Sequence, residues 1–175
     1  MKIGIVSDTH TKVQYAQKAL EMLIDNGAEF IIHAGDIVEL EMLELLKNCS
    51  KRYIAVYGNN DAHLARYHNE YNLVQEPYYF KLADTKFKLM HLPFYLSPDA
   101  EVIIFGHTHT FEVEMNKKSL FINPGEICAR SKDLSECVML EVKEKQFNVT
   151  YYSKKVGKKR ERDFKSKTFS YKRKK

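Results

Sequence analysis

The chain has 175 residues, a formal charge of +5, 44% hydrophobic residues and 29% charged ones. This length points to one domain rather than two full ones, and the apolar fraction suffices for a sizeable core, which excludes wholesale disorder. No run approaches the roughly 20 apolar residues of a membrane helix, and three cysteines without CxxC spacing argue against a disulfide framework or a zinc knot.

Lys2–Val6 is a short apolar run ending at Ser7-Asp8 and reads as a buried strand. The acid at position 8 stands where a secretory leader would stay apolar, so a cytoplasmic protein is expected. From Val13, the apolar residues Ala16, Leu20, Leu23 and Ile24 have helical spacing, and Asn26-Gly27 supplies the stop. Phe30–Ile32 reads as a second strand. Leu40, Leu43 and Leu46 continue a second helix, with Glu39 and Glu41 suited to its first turn. Tyr53–Tyr57 is a third strand that stops at Gly58. The alternation of strand and helix over these 60 or so residues predicts a parallel sheet. A short helix is expected around Ala62–Tyr67. Short strand-like segments follow at Tyr78–Leu82, Phe87–Met90, Val102–Phe105, Phe111–Met115, Leu120–Ile122, Cys137–Val142 and Phe147–Tyr152, with hairpin turns at Asn116–Lys118 and Lys143–Gln146. Two sheets packed on each other, with helices outside, account for this order.

The charge is unevenly placed. Residues 154–175 carry twelve lysines and arginines against two acids, or +10, while residues 1–153 carry sixteen against twenty-one, or −5. The pattern predicts a body over 1–153 and a basic C-terminal tail over 154–175, solvated and mobile. Such a tail either solubilises the chain or binds a polyanion, a nucleic acid or an anionic surface. Phe164, Phe169 and Tyr171, interleaved with the bases, are suited to stacking on nucleobases or to inserting at an interface.

Five segments place metal-type ligands just after an apolar strand: Asp8-Thr9-His10, Gly35-Asp36, Gly58-Asn59-Asn60-Asp61, His91, and Gly106-His107-Thr108-His109. In an open α/β sheet the carboxyl ends of parallel strands share one edge, so the segments can converge there. Residues two apart on an extended segment point the same way, so Asp8 with His10 can grip one ion. Asp36 can offer one oxygen to each of two cations, and Asn59 adds a neutral amide oxygen. Asp8, His10, Asp36, Asn59, His91, His107 and His109 give seven ligands, four per ion with Asp36 shared. Mixed nitrogen and oxygen ligation suits Mn²⁺, Fe²⁺, Zn²⁺, Ni²⁺ or Co²⁺ better than Ca²⁺. Asp61 and His33 read as groups that orient the ligands from behind, and Arg130 as a contact for a phosphate.

This motif series resembles that of the calcineurin-like metallophosphoesterases. The short length and Asn123-Pro124-Gly125 resemble the small YfcE-type phosphodiesterases, whose fold Vps29 shares, and the likeness covers roughly residues 1–152. The resemblance implies an α/β fold, a four-layer αββα sandwich of two mixed sheets flanked by helices. It implies two divalent transition-metal ions, manganese in the first place and zinc, nickel, iron or cobalt otherwise. Asp8, His10, Asp36 and His109 would hold the first ion, and Asp36, Asn59, His91 and His107 the second. The implied activity is phosphodiester hydrolysis by a metal-activated hydroxide, with Asp36 and Asn60 as catalytic residues. A phosphomonoesterase, a nuclease or a non-catalytic Vps29-like scaffold are the alternatives, and a homodimer is in keeping with the family. Two departures stand out. Asn60 occupies the place where many relatives carry a histidine that assists the leaving group. It cannot serve as an acid, and its expected role is a hydrogen bond to a phosphate oxygen. Glu126 follows Asn123-Pro124-Gly125 where the family pattern has serine, and would repel a phosphodiester if it faced the site.

Overall fold

The computed structural model describes residues 1–157 and 163–173. In chain order it contains β1 (Lys2–Val6), α1 (Val13–Asp25), β2 (Phe30–His33), α2 (Leu40–Asn48), β3 (Arg52–Val56), a 3₁₀ helix (Ala62–Tyr67), β4 (Leu73–Val74), β5 (Tyr78–Leu82), β6 (Thr85–Leu89), β7 (Val102–Ile104), β8 (Phe111–Asn116), β9 (Ser119–Pro124), β10 (Leu134–Val142), β11 (Gln146–Lys155) and β12 (Lys165–Lys172). The larger sheet has the order β12-β11-β10-β1-β2-β3-β4 and the smaller β5-β6-β7-β9-β8. Strands β1 to β4 run parallel, and β10, β11 and β12 extend the sheet antiparallel. In the smaller sheet β6, β7 and β9 are parallel, between antiparallel edges β5 and β8.

The period of two along each strand decides what lies where. Ile3, Ile5, Ile32, Ile54 and Val56 of the larger sheet pack against Phe87, Leu89, Val102, Ile104, Leu120 and Ile122 of the smaller one. On the other face of the larger sheet, Val6, Ile31, Ala55, Cys137 and Met139 meet Ala16, Leu20 and Leu23 of α1 and Leu43 and Leu46 of α2. Helix α1 ends where Gly27 takes φ +91°, and its last carbonyls are closed by Gly27 N–H to Ile24 O and Ala28 N–H to Leu23 O.

The two-sheet α/β architecture expected from the sequence is thus present, with one difference in detail. Both α-helices and the 3₁₀ helix residue Leu64 pack on the larger sheet. Among the described residues no helix covers the outer face of the smaller sheet. There Met90, Ile103 and Phe105 are buried with Ala100, which lies in the irregular segment between β6 and β7.

The basic C-terminal segment departs from the expectation of a solvated tail. Lys154 and Lys155 end β11, and residues 165–172 form β12, paired along β11 from Gln146↔Lys172 to Ser153↔Lys165. Its aromatics are spent on packing. Phe169 lies 5.8 Å from the Phe111 ring centroid, the Tyr171 hydroxyl donates to Val113 O, and Phe164 packs on the core beside α1. Residues 158–162 and 174–175 of the charge block lie outside the described residues. Arg173, just past β12, reaches the smaller sheet. Its Nε and Nη2 donate to Glu101 Oε1 at 2.9 and 2.7 Å, and Nη2 to Asp84 O at 2.9 Å. Among the described residues, no helix is long and apolar enough to cross a membrane.

Two buried side chains stitch together the loops at the carboxyl ends of β1, β2 and β3. His33, fully buried at the end of β2, has Nε2 2.8 Å from Thr9 Oγ1 and accepts Gly35 N–H on Nδ1 at 3.2 Å. The amide fixes Nδ1 as the acceptor, so Nε2 carries the proton and the ring is neutral. Asp61 accepts from the N–H groups of Ile37, Val38 and Gly58 at 3.1, 2.8 and 2.7 Å, tying the loop after β2 to the loop after β3.

Two outcomes follow for stability. Arg173→Ala should cost about 1–3 kcal/mol, because it leaves Glu101 and Asp84 O without their guanidinium donors. Urea melts measure this, and an unchanged midpoint would show that the guanidinium contacts add nothing. Burial pushes the His33 imidazole down from 6.5 to about 4. Between those values the unfolded chain binds a proton that the folded one refuses, so stability falls as the pH drops through this window. In chelator-treated protein the unaltered chain should lose about 2 kcal/mol relative to His33→Gln between pH 7 and pH 5. A stability difference that stays constant with pH would refute the neutral buried imidazole.

Candidate metal centre

The carboxyl ends of β1, β2, β3, β6, β7 and β9 meet at one edge of the two sheets, and the five motif segments lie in the loops that leave them. Five side chains singled out from the sequence sit on left-handed backbone: Asp8 (φ 52°), His10 (47°), Asp36 (55°), His107 (68°) and His109 (57°). Asp and His enter this region more readily than most residues, but a cluster of them marks a locally constrained site. Backbone bonds enforce it, with Asp8 N–H to Gly35 O and His10 N–H to Asp36 O, both at 3.0 Å, and Cys128 N–H to Asp8 O at 3.1 Å. Gly58 permits the approach of its loop, since a Cβ there would overlap Asp36 N and Oδ1.

The side chains form two groups that share Asp36. In the first, ligand atoms of Asp8, His10, Asp36 and His109 all lie within 4.8 Å of one another. His109 Nε2 is 3.2 Å from Asp8 Oδ1, and His10 Nε2 is 3.6 Å from Asp36 Oδ2. In the second, His91 Nε2 is 3.5 Å from Asp36 Oδ1, and Asn59 Oδ1 is 3.1 Å from both His91 Nε2 and His107 Nδ1. Asp36 therefore turns one oxygen to each group. His91 Nδ1 donates to Ala34 O at 2.8 Å, since a carbonyl can only accept, and this leaves Nε2 directed at Asn59 and Asp36.

Charge in the pocket is tightly balanced. Burial pushes the Asp36 carboxyl upward, yet hydrogen bonding to His91 and Asn60 holds it below the usual carboxylate range. Burial, and then the guanidinium of Arg130, lower His10. The exposed Arg130 is thus within electrostatic reach of the first group, at its rim. Asp8, then Cys128 and Glu126, hold His109 up at about 11, so the pocket favours positive charge at that point. Asp8 Oδ2 is occupied by Ser7 Oγ at 2.6 Å and His107 N–H at 3.1 Å. Its Oδ1 has His109 Nε2 at 3.2 Å but no well-formed hydrogen bond, and His10 Nε2 has no hydrogen-bond partner, though both atoms are buried. A buried polar atom left unpaired costs about 1–3 kcal/mol. A divalent cation between these atoms would satisfy both, and the nitrogen and oxygen donor set suits a transition metal.

Two residues lie differently from the expectation. The Asn60 amide turns to Asp36 rather than outward, with Nδ2 donating to Oδ2 at 2.8 Å and its backbone N–H to Oδ1 at 3.0 Å. Glu126 does not face the opening. It is wholly buried beneath His109, whose Nδ1 bonds Glu126 Oε2. The Cys128 thiol lies against both, and with His10 and His109 it forms a second cluster of metal-type ligands. Only its place two residues after Glu126 signals this.

The family profile described as the calcineurin-like phosphoesterase superfamily domain matches residues 1–145. The chain is 32% identical over 160 residues to phosphodiesterase MJ0936 of Methanocaldococcus jannaschii, a span covering 84% of this chain and 96% of that one. It is 23% identical over 148 residues to phosphodiesterase YfcE of Escherichia coli, covering 73% of this chain and 79% of YfcE. The fold superimposes on an archaeal phosphodiesterase with a TM-score of 0.74 at 28% identity, covering 97% of this chain and all of the other. It superimposes on Vps29 of Chaetomium thermophilum with a TM-score of 0.79 at 12% identity, covering 99% and 97%, a likeness of fold alone. With its motif residues gathered at one sheet edge and the profile matched over most of its length, the chain belongs to the calcineurin-like phosphoesterase superfamily.

Proposed function

We propose that this chain is a two-metal phosphodiesterase, and that Asp36 joins the two metal sites. The observation that carries the proposal is the Asp36 carboxylate, with Oδ2 toward His10 and Oδ1 toward His91. Asp8, His10, Asp36 and His109 would hold one ion, and Asp36, Asn59, His91 and His107 the other, manganese being the expected metal. Bound there, two divalent ions lower the pKa of a water and offset charge on the phosphate oxygens. The names of the relatives support diester rather than monoester hydrolysis.

The chain's own groups then have distinct tasks. Asn60 keeps both Asp36 oxygens aimed at their halves of the site. Arg130, at the rim, supplies a cation for a non-bridging phosphate oxygen. Asp61 and His33 hold the loops from behind. With Asn60 engaged and unable to donate a proton as an acid, departure relies on the leaving group's own acidity. Substrates with stabilised leaving groups should therefore react best.

Hydrolysis of bis-p-nitrophenyl phosphate and p-nitrophenyl phosphate with Mn²⁺, alongside metal content, tests this reading. The diester should be the better substrate, and Asp36→Asn should lower kcat by about 100-fold or more while reducing the metal bound. Unchanged activity in Asp36→Asn would overturn the shared role. Metal binding without turnover of either ester would support the scaffold reading instead. We also propose that the exposed lysines of β12 contact a polyanion, such as RNA. Lys167→Gln and Lys172→Gln should each reduce the slope of log affinity against log salt by about 1. Equal slopes in variant and unaltered chain would remove the polyanion from the account.

A further inference from the structure

We infer that Glu126 is a positioning residue that fixes the tautomer of His109 and aims its Nε2 at the first metal site. The inference rests on the metal-binding reading above, and it concerns a residue that sequence alone marked only as an obstacle to substrate.

Strands β7 and β9 are parallel neighbours, so the loop carrying His109 and the loop carrying Glu126 leave the sheet side by side. Gly125 turns the chain at φ +80°, and a Cβ there would come within 2.5 Å of Glu136 Oε2. This turn carries Glu126 inward to complete burial. One carboxylate oxygen is fully committed, because Oε1 accepts the N–H groups of Ser131 at 2.7 Å and Lys132 at 3.1 Å. Oε2 meets His109 Nδ1, with the Cys128 thiol at 3.3 Å as a second donor. A carboxylate can only accept, so the imidazole must keep its proton on Nδ1. Nε2 is then the nitrogen that gives up its proton to a cation, and it lies 3.2 Å from Asp8 Oδ1 and within the four-residue cluster of candidate ligands.

His91 is held in the same sense by a neutral carbonyl, Ala34 O. His109 is held by a charged group. A carboxylate behind an imidazole makes the ring a stronger donor and fixes its orientation, and removal of such a partner typically costs 10–100-fold in metal affinity. The site of Asp8, His10, Asp36 and His109 should therefore be the tighter of the two.

Glu126→Gln breaks the logic without changing the shape. If the amide oxygen stays with Ser131 and Lys132, its NH₂ faces Nδ1 and drives the proton to Nε2, where it blocks ligation. If the amide turns over, its NH₂ meets two backbone N–H groups. Calorimetric titration of Mn²⁺ and of Zn²⁺ into chelator-stripped full-length protein should show two steps in the unaltered chain. In Glu126→Gln the tighter step should weaken by about 10–100-fold, and Glu126→Asp should recover part of the loss. In a His109→Ala background, Glu126→Gln should add no further loss. Affinities like the unaltered protein in Glu126→Gln, or an equal loss with and without His109, would overturn the inference, the latter by showing an effect on the fold at large. In the unaltered Zn²⁺-loaded protein, ¹⁵N NMR should show His109 ligating through Nε2 with a protected Nδ1 proton, and ligation through Nδ1 would overturn it without any variant. If the unaltered chain bound no metal, the two-metal reading would fall and this inference with it, whereas an unaffected Glu126→Gln removes only the inference.

Discussion

The structure depends on keeping the Asp36 carboxylate buried, charged and aimed in two directions. A carboxylate out of water is costly unless it is paired and hydrogen-bonded. Asp36 meets that condition with two donors from Asn60 and with the imidazoles of His10 and His91 on opposite sides. The position of Asp36 is in turn set by its left-handed backbone and by the absence of a side chain at Gly58. Asp61 then holds Ile37 and Val38, just downstream, against Gly58. Each of these groups comes from a loop at the end of a parallel strand, which is why the sheet topology and the chemistry cannot be separated.

Left-handed residues at five candidate ligands are a local cost, and the sheets offset it. Strained residues persist where the surroundings over-determine them. Here the loops are bound to each other's backbones, Asp8 to Gly35, His10 to Asp36, Cys128 to Asp8, over a continuous core of isoleucine, valine and leucine from both sheets. The rigid part of the molecule thus lies directly beneath the part that leaves Asp8 Oδ1 and His10 Nε2 without well-formed hydrogen bonds. Pre-organisation of this kind leaves little rearrangement for a bound cation to drive.

Much of this was legible in the residues. Asp8, Asp36, Asn59, His91, His107 and His109 each follow an apolar run closely, and parallel strands bring such positions to one edge whatever their separation in sequence. What escaped was decided by angles and by context. Asn60 and Glu126 stand out as departures, but the direction of each side chain depends on backbone that no residue pattern reports, the close approach of Gly58 to Asp36 and the turn at Gly125. β4 has two residues, too few for any periodicity. β12 was hidden by its charge, because lysines that read as a solvated tail also suit an edge strand, where they discourage pairing with another chain. Phe169 and Tyr171, seemingly free for a partner, instead close the edge against Phe111 and Val113.

The two departures from the family pattern, taken together, shift the balance of the site in one direction. Asn60 removes an acid from the leaving-group side and adds one side-chain amide donor to Asp36. Glu126 adds a buried negative charge behind His109 without presenting it to the opening. Asn60 would orient Asp36 and Glu126 would strengthen His109 as a ligand, and neither helps to protonate a departing oxygen. With two cations in place, a site altered in this way would act mainly through them and the phosphate they hold, with the exposed Arg130 within electrostatic reach of His10. The leaving group must then carry off its own negative charge. On the two-metal reading proposed above, this constraint would select for diesters whose leaving oxygen is already weakly basic and work against alkyl esters, which need a proton at the moment of cleavage.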